Sequence, residues 1–303
     1  MELLKQLCSI RATSGDEKPM TDFLLKFIND NKSSWKTEPT IHAGNYLQDC
    51  IILSFGTPRT AVFAHIDSIG FTVRYENEIV KIGGPRAENG YILVGSDNEG
   101  EIECILQKDK VGELGYSFNR TIERGTPLSF KPIFIETNES VQCCYLDNRL
   151  GVYVALELAK TLENGIIVFS CYEEHGGGTV GFLANFIAKH YNVNQALICD
   201  ITWVTDGVKA GNGVAISMRD SHIPRRSYLN RIIEIAKTSN IPYQLEVENA
   251  GGSDGTELQH SSLAFDWCFV GAPEGNVHSP QEKVMKYDII SMIDLYKKLM
   301  QEL

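Results

Sequence analysis

Acidic and imidazole side chains recur at comparable places along this 303-residue chain. His65 and Asp67 follow the apolar run Ala61-Val62-Phe63-Ala64. Glu173 and Glu174 follow Ile166-Ile167-Val168-Phe169, and Asp200 follows Ala196-Leu197-Ile198-Cys199. Asp147 stands at the start of a helical pattern. His278 lies in the loop-like stretch Gly275-Asn276-Val277-His278-Ser279-Pro280. If the apolar runs are strands, these groups collect at carboxyl ends, where open α/β sheets build their sites. The set is rich in nitrogen and oxygen donors and contains no cysteine, which suits Zn²⁺, with Co²⁺ or Mn²⁺ as alternatives. Adjacent carboxylates at the end of a buried strand repel, so water, an arginine or a metal must offset them. With Asp147, Glu174 and Asp200 as ligands, three negative charges and a bridging hydroxide would balance two divalent ions.

Each piece alone has an ordinary explanation. A His-x-Asp pair is usually structural, a Glu-Glu pair a solvated face, and Asp147 or Asp200 a cap. Gly251-Gly252-Ser253-Asp254-Gly255 fits the Gly-x-Ser-x-Gly elbow of serine hydrolases, with Asp266 and His278 following in order. That reading would leave His65, Asp67, Asp147, Glu173, Glu174 and Asp200 without roles. Arg219 or Arg225 could meet an acidic substrate, and Trp203 could line a pocket.

The positioning elements follow from periodicity. Met20, Phe23, Leu24, Phe27 and Ile28 mark a helix that Thr13 to Asp16 can cap. From about Gly70 to Phe130, short alternating segments separated by Gly, Pro, Asn and Asp predict a small all-β insertion. Val152, Ala155, Leu158, Ala159 and Leu162 resume helical spacing. Strands and helices then alternate to a C-terminal helix through Ile289, Met292, Ile293, Tyr296 and Leu299. This predicts an α/β fold with a mostly parallel or mixed sheet flanked by helices. The expected division is a discontinuous catalytic domain, 1–69 and 129–303, around a β-barrel-like module at 70–128.

Composition excludes several classes. A formal charge of −11 argues against a nucleic-acid binder. No uninterrupted apolar run approaches the ~20 residues of a membrane span. The N-terminus lacks a signal-peptide pattern, and none of the 8 cysteines form Cys-x-x-Cys, so a reducing, cytoplasmic setting is expected.

His65-Ile66-Asp67-x-Ile69-Gly70, Asp147-Asn148-Arg149-x-Gly151, Glu173-Glu174, Asp200, Gly251-Gly252-Ser253-Asp254 and His278-Ser279-Pro280-x-Glu282 together resemble the M42 peptidases, aminopeptidases of the tetrahedral or glutamyl type. The resemblance spans nearly the whole chain. It implies that His65, Asp147, Glu174, Asp200 and His278 hold two divalent ions, with Asp147 bridging. It implies Glu173 as general base, Asp67 as the carboxylate that orients His65, and a metal-bridged water as nucleophile removing N-terminal residues from small peptides. It further implies that the inserted module dimerises and that dimers assemble into a dodecamer. An N-acyl amino acid deacylase of the same metal class is the alternative that these residues leave open. Ser68, His175 and the arginine-free Gly275–Val277 segment depart from the family pattern at the rim of the site.

Overall fold

The computed structural model describes residues 1–303. Its frame is an 11-stranded mixed sheet. Four of its strands, Gly165–Ser170, Ala61–His65, Gln195–Trp203 and Asp266–Gly275, lie side by side and parallel. Ile51–Phe55 continues the sheet antiparallel on one side, and Val214–Arg219 branches antiparallel from Asp266–Gly275 on the other. Tyr243–Val247 then pairs parallel with Val214–Arg219. The central strands are buried along their length, which is why they read as continuous apolar runs rather than alternating ones. Each buried side chain of Ile166–Phe169 stabilises the frame by about 1.5–3 kcal/mol relative to exposure. That anchors the turn that follows.

Helices cover this sheet in two packed groups. Glu2–Ser9, Leu146–Ala159, Arg226–Ser239 and Lys286–Glu302 form one, and Val180–Tyr191 with Asp254–His260 the other. The small-residue and leucine face of Leu146–Ala159 lies on the Gln195–Trp203 and Ala61–His65 strands. No helix is long and apolar enough to cross a membrane. All eight cysteines are free and buried, so they serve as small apolar packing groups.

Between Gly70 and Phe130 the chain builds a separate six-stranded antiparallel sheet. Its outer strands, Ile79–Ile82 and Leu114–Ser117, approach each other through the Glu78–Gly115 bridge, which gives the sheet its barrel-like closure. Phe71 and Phe130 meet edge to face at 5.7 Å in its core. Phe130 also stacks on Tyr145 of the large unit at 6.3 Å. The sequence-derived strand limits are accurate to within a few residues, as in Ile102 to Leu106 against the observed Gly100–Lys108.

Three local expectations are corrected. Glu173 and Glu174 do not sit at the end of the strand itself: Gly165–Ser170 stops before them, and Glu173–His175 is a 3₁₀ turn entered through Tyr172 at φ 66°. Asp200 does not close its strand, which runs on to Trp203 because Asp266–Gly275 keeps pairing with it. The partner strand Ala61–His65 pairs only as far as Ile198, so Asp200 still emerges beyond that neighbour. Finally, Ser14 does not cap the helix Lys18–Asn31. Its hydroxyl donates to Asp67.

Candidate active site

His65 ends its strand fully buried, with Asp67 two residues on. The Asp67 carboxylate organises this corner. It accepts hydrogen bonds from Ser14 Oγ at 2.6 Å, Glu173 N at 3.1 Å and Glu174 N at 3.1 Å. One of its oxygens lies 3.3 Å from His65 Nδ1. Asp67 is buried, and burial alone would raise its pKa. The neighbouring His65 and the donated hydrogen bonds win and hold it below the usual carboxylate range. One carboxylate therefore orients an imidazole and fixes the turn that carries both glutamates.

Asp147 sits at the entry to Leu146–Ala159 with non-helical dihedrals (φ −76°, ψ 108°). It is not the cap. Asn148 takes that role: its Oδ1 accepts from Gly151 N at 2.9 Å while its Nδ2 donates to Cys199 O at 2.9 Å. The Asp147 carboxylate is left free to face the crevice. One oxygen is 3.3 Å from His65 Nε2 and the other 3.3 Å from His278 Nε2. Asp200 Oδ2 lies 3.5 Å from His65 Nε2, and Glu174 Oε2 lies 3.2 Å from His278 Nε2. The site thus has two lobes, each with one imidazole, one terminal carboxylate and one oxygen of Asp147. Glu173 stands beside them, its Oε2 3.9 Å from His65 Nε2.

The electrostatics match a site built for cations. Burial pushes Glu173 well above the carboxylate range, and the charges of Glu174 and Asp200 add to it against the pull of His65. Burial and the Asp147 charge push Glu174 up to about 7. For His278, burial is outweighed by hydrogen bonding to Asp147 and Glu174, and its pKa rises to about 11. His65 is raised as well, because Asp200, Asp147 and Asp67 outweigh its burial. A cation bound among these groups would compete with protons for the imidazole nitrogens.

Several residues that position this centre were not singled out from sequence. Glu282, buried below the site, accepts from His278 N at 2.9 Å and from Asp147 N at 3.3 Å. Arg149 is buried, donates to Asp67 O at 3.1 Å and also holds Ile66 O, which locks the loop after His65. Both lie inside the quoted motifs, but a motif does not say which way a side chain turns. The six-stranded sheet also reaches the site. Gly84 O meets His278 Nδ1 at 3.2 Å, and Gly83 N donates to His175 Nδ1 at 2.9 Å. A side chain at Gly83, which has φ +66°, would strike Glu174 O at 2.8 Å, so only glycine fits there.

The serine-hydrolase alternative does not assemble. Ser253 accepts from Gly255 N as the cap of Asp254–His260, Asp266 is held by Arg225, and His278 faces Asp147 and Glu174. Arg225 is thereby occupied, and Arg219 Nε donates to Asp220 O, so neither arginine lines the crevice. Trp203 does line it.

A mixed sheet carrying a carboxylate-rich crevice at the ends of its parallel strands defines an α/β hydrolytic-type centre. The M42 glutamyl aminopeptidase model matches residues 109–295, and the chain belongs to that family. It is a peptidase acting as an aminopeptidase. A candidate aminopeptidase of Acetivibrio thermocellus is 24% identical across 97% of this chain and 96% of its own length. In fold, the chain is similar to the aminopeptidase APDkam598 of Desulfurococcus kamchatkensis (TM-score 0.85, 22% identity, 100% of this chain and 94% of that one). It is likewise similar to PhTET1-12s, described as a dodecamer (TM-score 0.83, 23% identity, 100% and 99%). Membership implies a divalent metal, and the donors fit one. Ligand atoms of His65, Asp147 and Glu174 all lie within 4.8 Å of one another. Nε2 of His65, the ring nitrogen turned away from Asp67, and Oε1 of Glu174 are buried without a well-formed hydrogen bond. Such orphans are costly unless something binds them.

Proposed function

We propose that the chain is a dinuclear aminopeptidase. His65, Asp200 and Asp147 would hold one ion, His278, Glu174 and Asp147 the other, with zinc as the resident metal and cobalt or manganese as substitutes. The observation that carries this reading is the division of the Asp147 carboxylate between two histidines, each with its own terminal acid. When bound, the ions would supply Lewis acidity that lowers the pKa of water and polarises a carbonyl.

The chain's own residues do the rest. Glu173 is the general base: it takes a proton from the attacking water and passes it to the leaving amine. Asp67 is a positioning residue that fixes the His65 ring and, through two backbone N–H groups, the glutamate turn. Carboxylates around the crevice would receive the free α-amino group, which limits cleavage to the N-terminal residue.

We also treat residues 70–128 as an inserted dimerisation domain within a catalytic domain of 1–69 and 129–303. A dodecameric relative of the same fold supports a homo-oligomer here. Light scattering on the purified protein tests that part. The catalytic part is tested by metal analysis together with hydrolysis of aminoacyl-p-nitroanilides before and after chelation. The expected result is two ions per chain and activity that chelation removes and zinc restores. One ion per chain at full activity would overturn the two-lobe assignment. Cleavage of N-acyl amino acids without aminoacyl-p-nitroanilide cleavage would show a deacylase instead.

A further inference from the structure

The crevice extends beyond the ligands into a cavity of about 240 Å³. Its wall carries Asp147, Glu173, Glu174 and Asp200 together with a second acidic group, Asp220, Glu246 and Glu248. No lysine or arginine lines it. Two divalent ions would offset Asp147, Glu174 and Asp200, and Glu173 has its own task. The second group is left over.

Strand register places this group. Asp200 and Thr202 share one face of their strand, because alternate residues do. The Thr202 hydroxyl donates to Glu246 Oε1, which ties the second acidic group to the strand that carries Asp200. Glu246 is aligned with Ser217 on the adjacent strand. Asp220 follows that strand, accepts from His222 N, and has Arg219 donating to its carbonyl rather than to its carboxylate. Glu248 is half-buried at the rim.

The charge balance of this wall points to a missing cation rather than to an idle acidic surface. Glu246 and Asp220 are 4% and 9% exposed, yet no basic side chain pairs with either, and burying an unpaired carboxylate is costly. The buried hydroxyls of Thr202 and Ser217 face Glu246, but neither brings a positive charge. Burial also raises Glu246 above the carboxylate range, and the charges of Asp220 and Glu248 add to that. Phe269 and Trp203 supply apolar surface to the same cavity. A long aliphatic stem with a cationic head matches that arrangement, as the stems of lysine and arginine pack on apolar surface while their heads seek polar partners.

We propose that Asp220, Glu246 and Glu248 form a cation-accepting specificity pocket, so that this aminopeptidase removes N-terminal lysine and arginine. This rests on the aminopeptidase reading above and adds the side chain it selects. An N-terminal glutamate would enter a wall with no cation to meet it and several like charges to repel it.

The test has two arms on the zinc-loaded full chain. The first compares kcat/KM for Lys-, Arg-, Leu- and Glu-p-nitroanilide. Lys and Arg should exceed Leu by about tenfold or more, with Glu lowest. Glu246→Gln and, separately, the rim variant Glu248→Gln should narrow the Lys-to-Leu ratio through KM rather than kcat. A variant that merely disturbs folding would lower both substrates together. The second arm reads binding without turnover: calorimetry with L-lysine, L-leucine and L-glutamic acid α-hydroxamates, which differ only in side chain. Lysine hydroxamate should bind tightest, and Glu246→Gln should remove its advantage. Cleavage that prefers Leu or Glu, or hydroxamate affinities blind to side-chain charge, overturns the pocket while leaving the aminopeptidase reading intact. If no hydroxamate binds and no substrate is cleaved, both fall.

Discussion

Two regions of this molecule handle buried carboxylates in opposite ways. In the six-stranded sheet, the Asp97 side chain is 1% exposed and is gripped by both terminal nitrogens of Arg120, at 2.6 and 2.7 Å. Arg120 chiefly, with backbone N–H groups of Glu123 and Glu99, holds Asp97 below the usual carboxylate range. Other acids of that sheet pair at the surface, as in Lys131–Glu103 at 2.8 Å and Arg74–Glu78 at 3.2 Å. In the crevice of the large sheet, seven carboxylates line one cavity without a single lysine or arginine. Burial raises Glu173, Glu174 and Asp200 there instead of a cation lowering them. For Asp97 the chain supplies the partner, whereas along the crevice it sets no lysine or arginine beside the acids.

The sharpest way to break this contrast is Asp147→Asn. It removes the one carboxylate common to both lobes, so metal content and turnover should both fall to background in elemental analysis and nitroanilide assay. Retention of two ions would mean the lobes do not share it. Next is Glu173→Gln, expected to cut kcat by roughly 10²–10⁴-fold, the usual contribution of a positioned acid or base. Metal content should stay unchanged, and loss of metal would make Glu173 a ligand. Asp67→Asn should be milder: about 10–100-fold weaker metal affinity, the usual effect of removing a carboxylate that orients a ligand histidine, read by competition with a chelator of known affinity.

The smallest effect belongs to the paired region. Asp97 has its folded pKa depressed, so the Arg120 pair contributes stability above the unfolded value of about 3.9 and loses it as pH falls through the folded value. Arg120→Ala should lower the melting temperature by a constant amount at neutral pH. The gap from wild type should close as pH drops below about 4. A gap unchanged down to about pH 2.5 would show that Arg120 acts through its stacking over Phe118 rather than through Asp97.

Local pattern carried much of the fold. Apolar strand runs, helical stripes and the change of period at Gly70 are nearest-neighbour signals, so the α/β frame and the inserted sheet were legible. The types of groups at the site were legible too, because acids and histidines directly after buried strands are costly without a purpose. What the tertiary structure decided was direction and partnership. Asn148 rather than Asp147 caps its helix, Ser14 serves Asp67 rather than a helix, and Glu282 and Arg149 turn inward to hold backbone groups of Asp147, His278, Ile66 and Asp67. Apart from the local Asn148 cap, each is a contact between residues far apart in the chain, set by packing that no periodicity encodes.

The acidic pocket shows the same division most clearly. Asp220, Glu246 and Glu248 look like ordinary surface charges in sequence, and Arg219 and Arg225 look like the groups that would face a substrate. Only the pairing of Val214–Arg219 with its two neighbouring strands turns the acids into the cavity. The same fold occupies Arg225 with Asp266 and leaves Arg219 outside the cavity wall. The sequence by itself determined that carboxylates and imidazoles would gather at strand ends, because burial there is expensive. The fold determined which of them remain unpaired, because that depends on which cations come within a few ångströms.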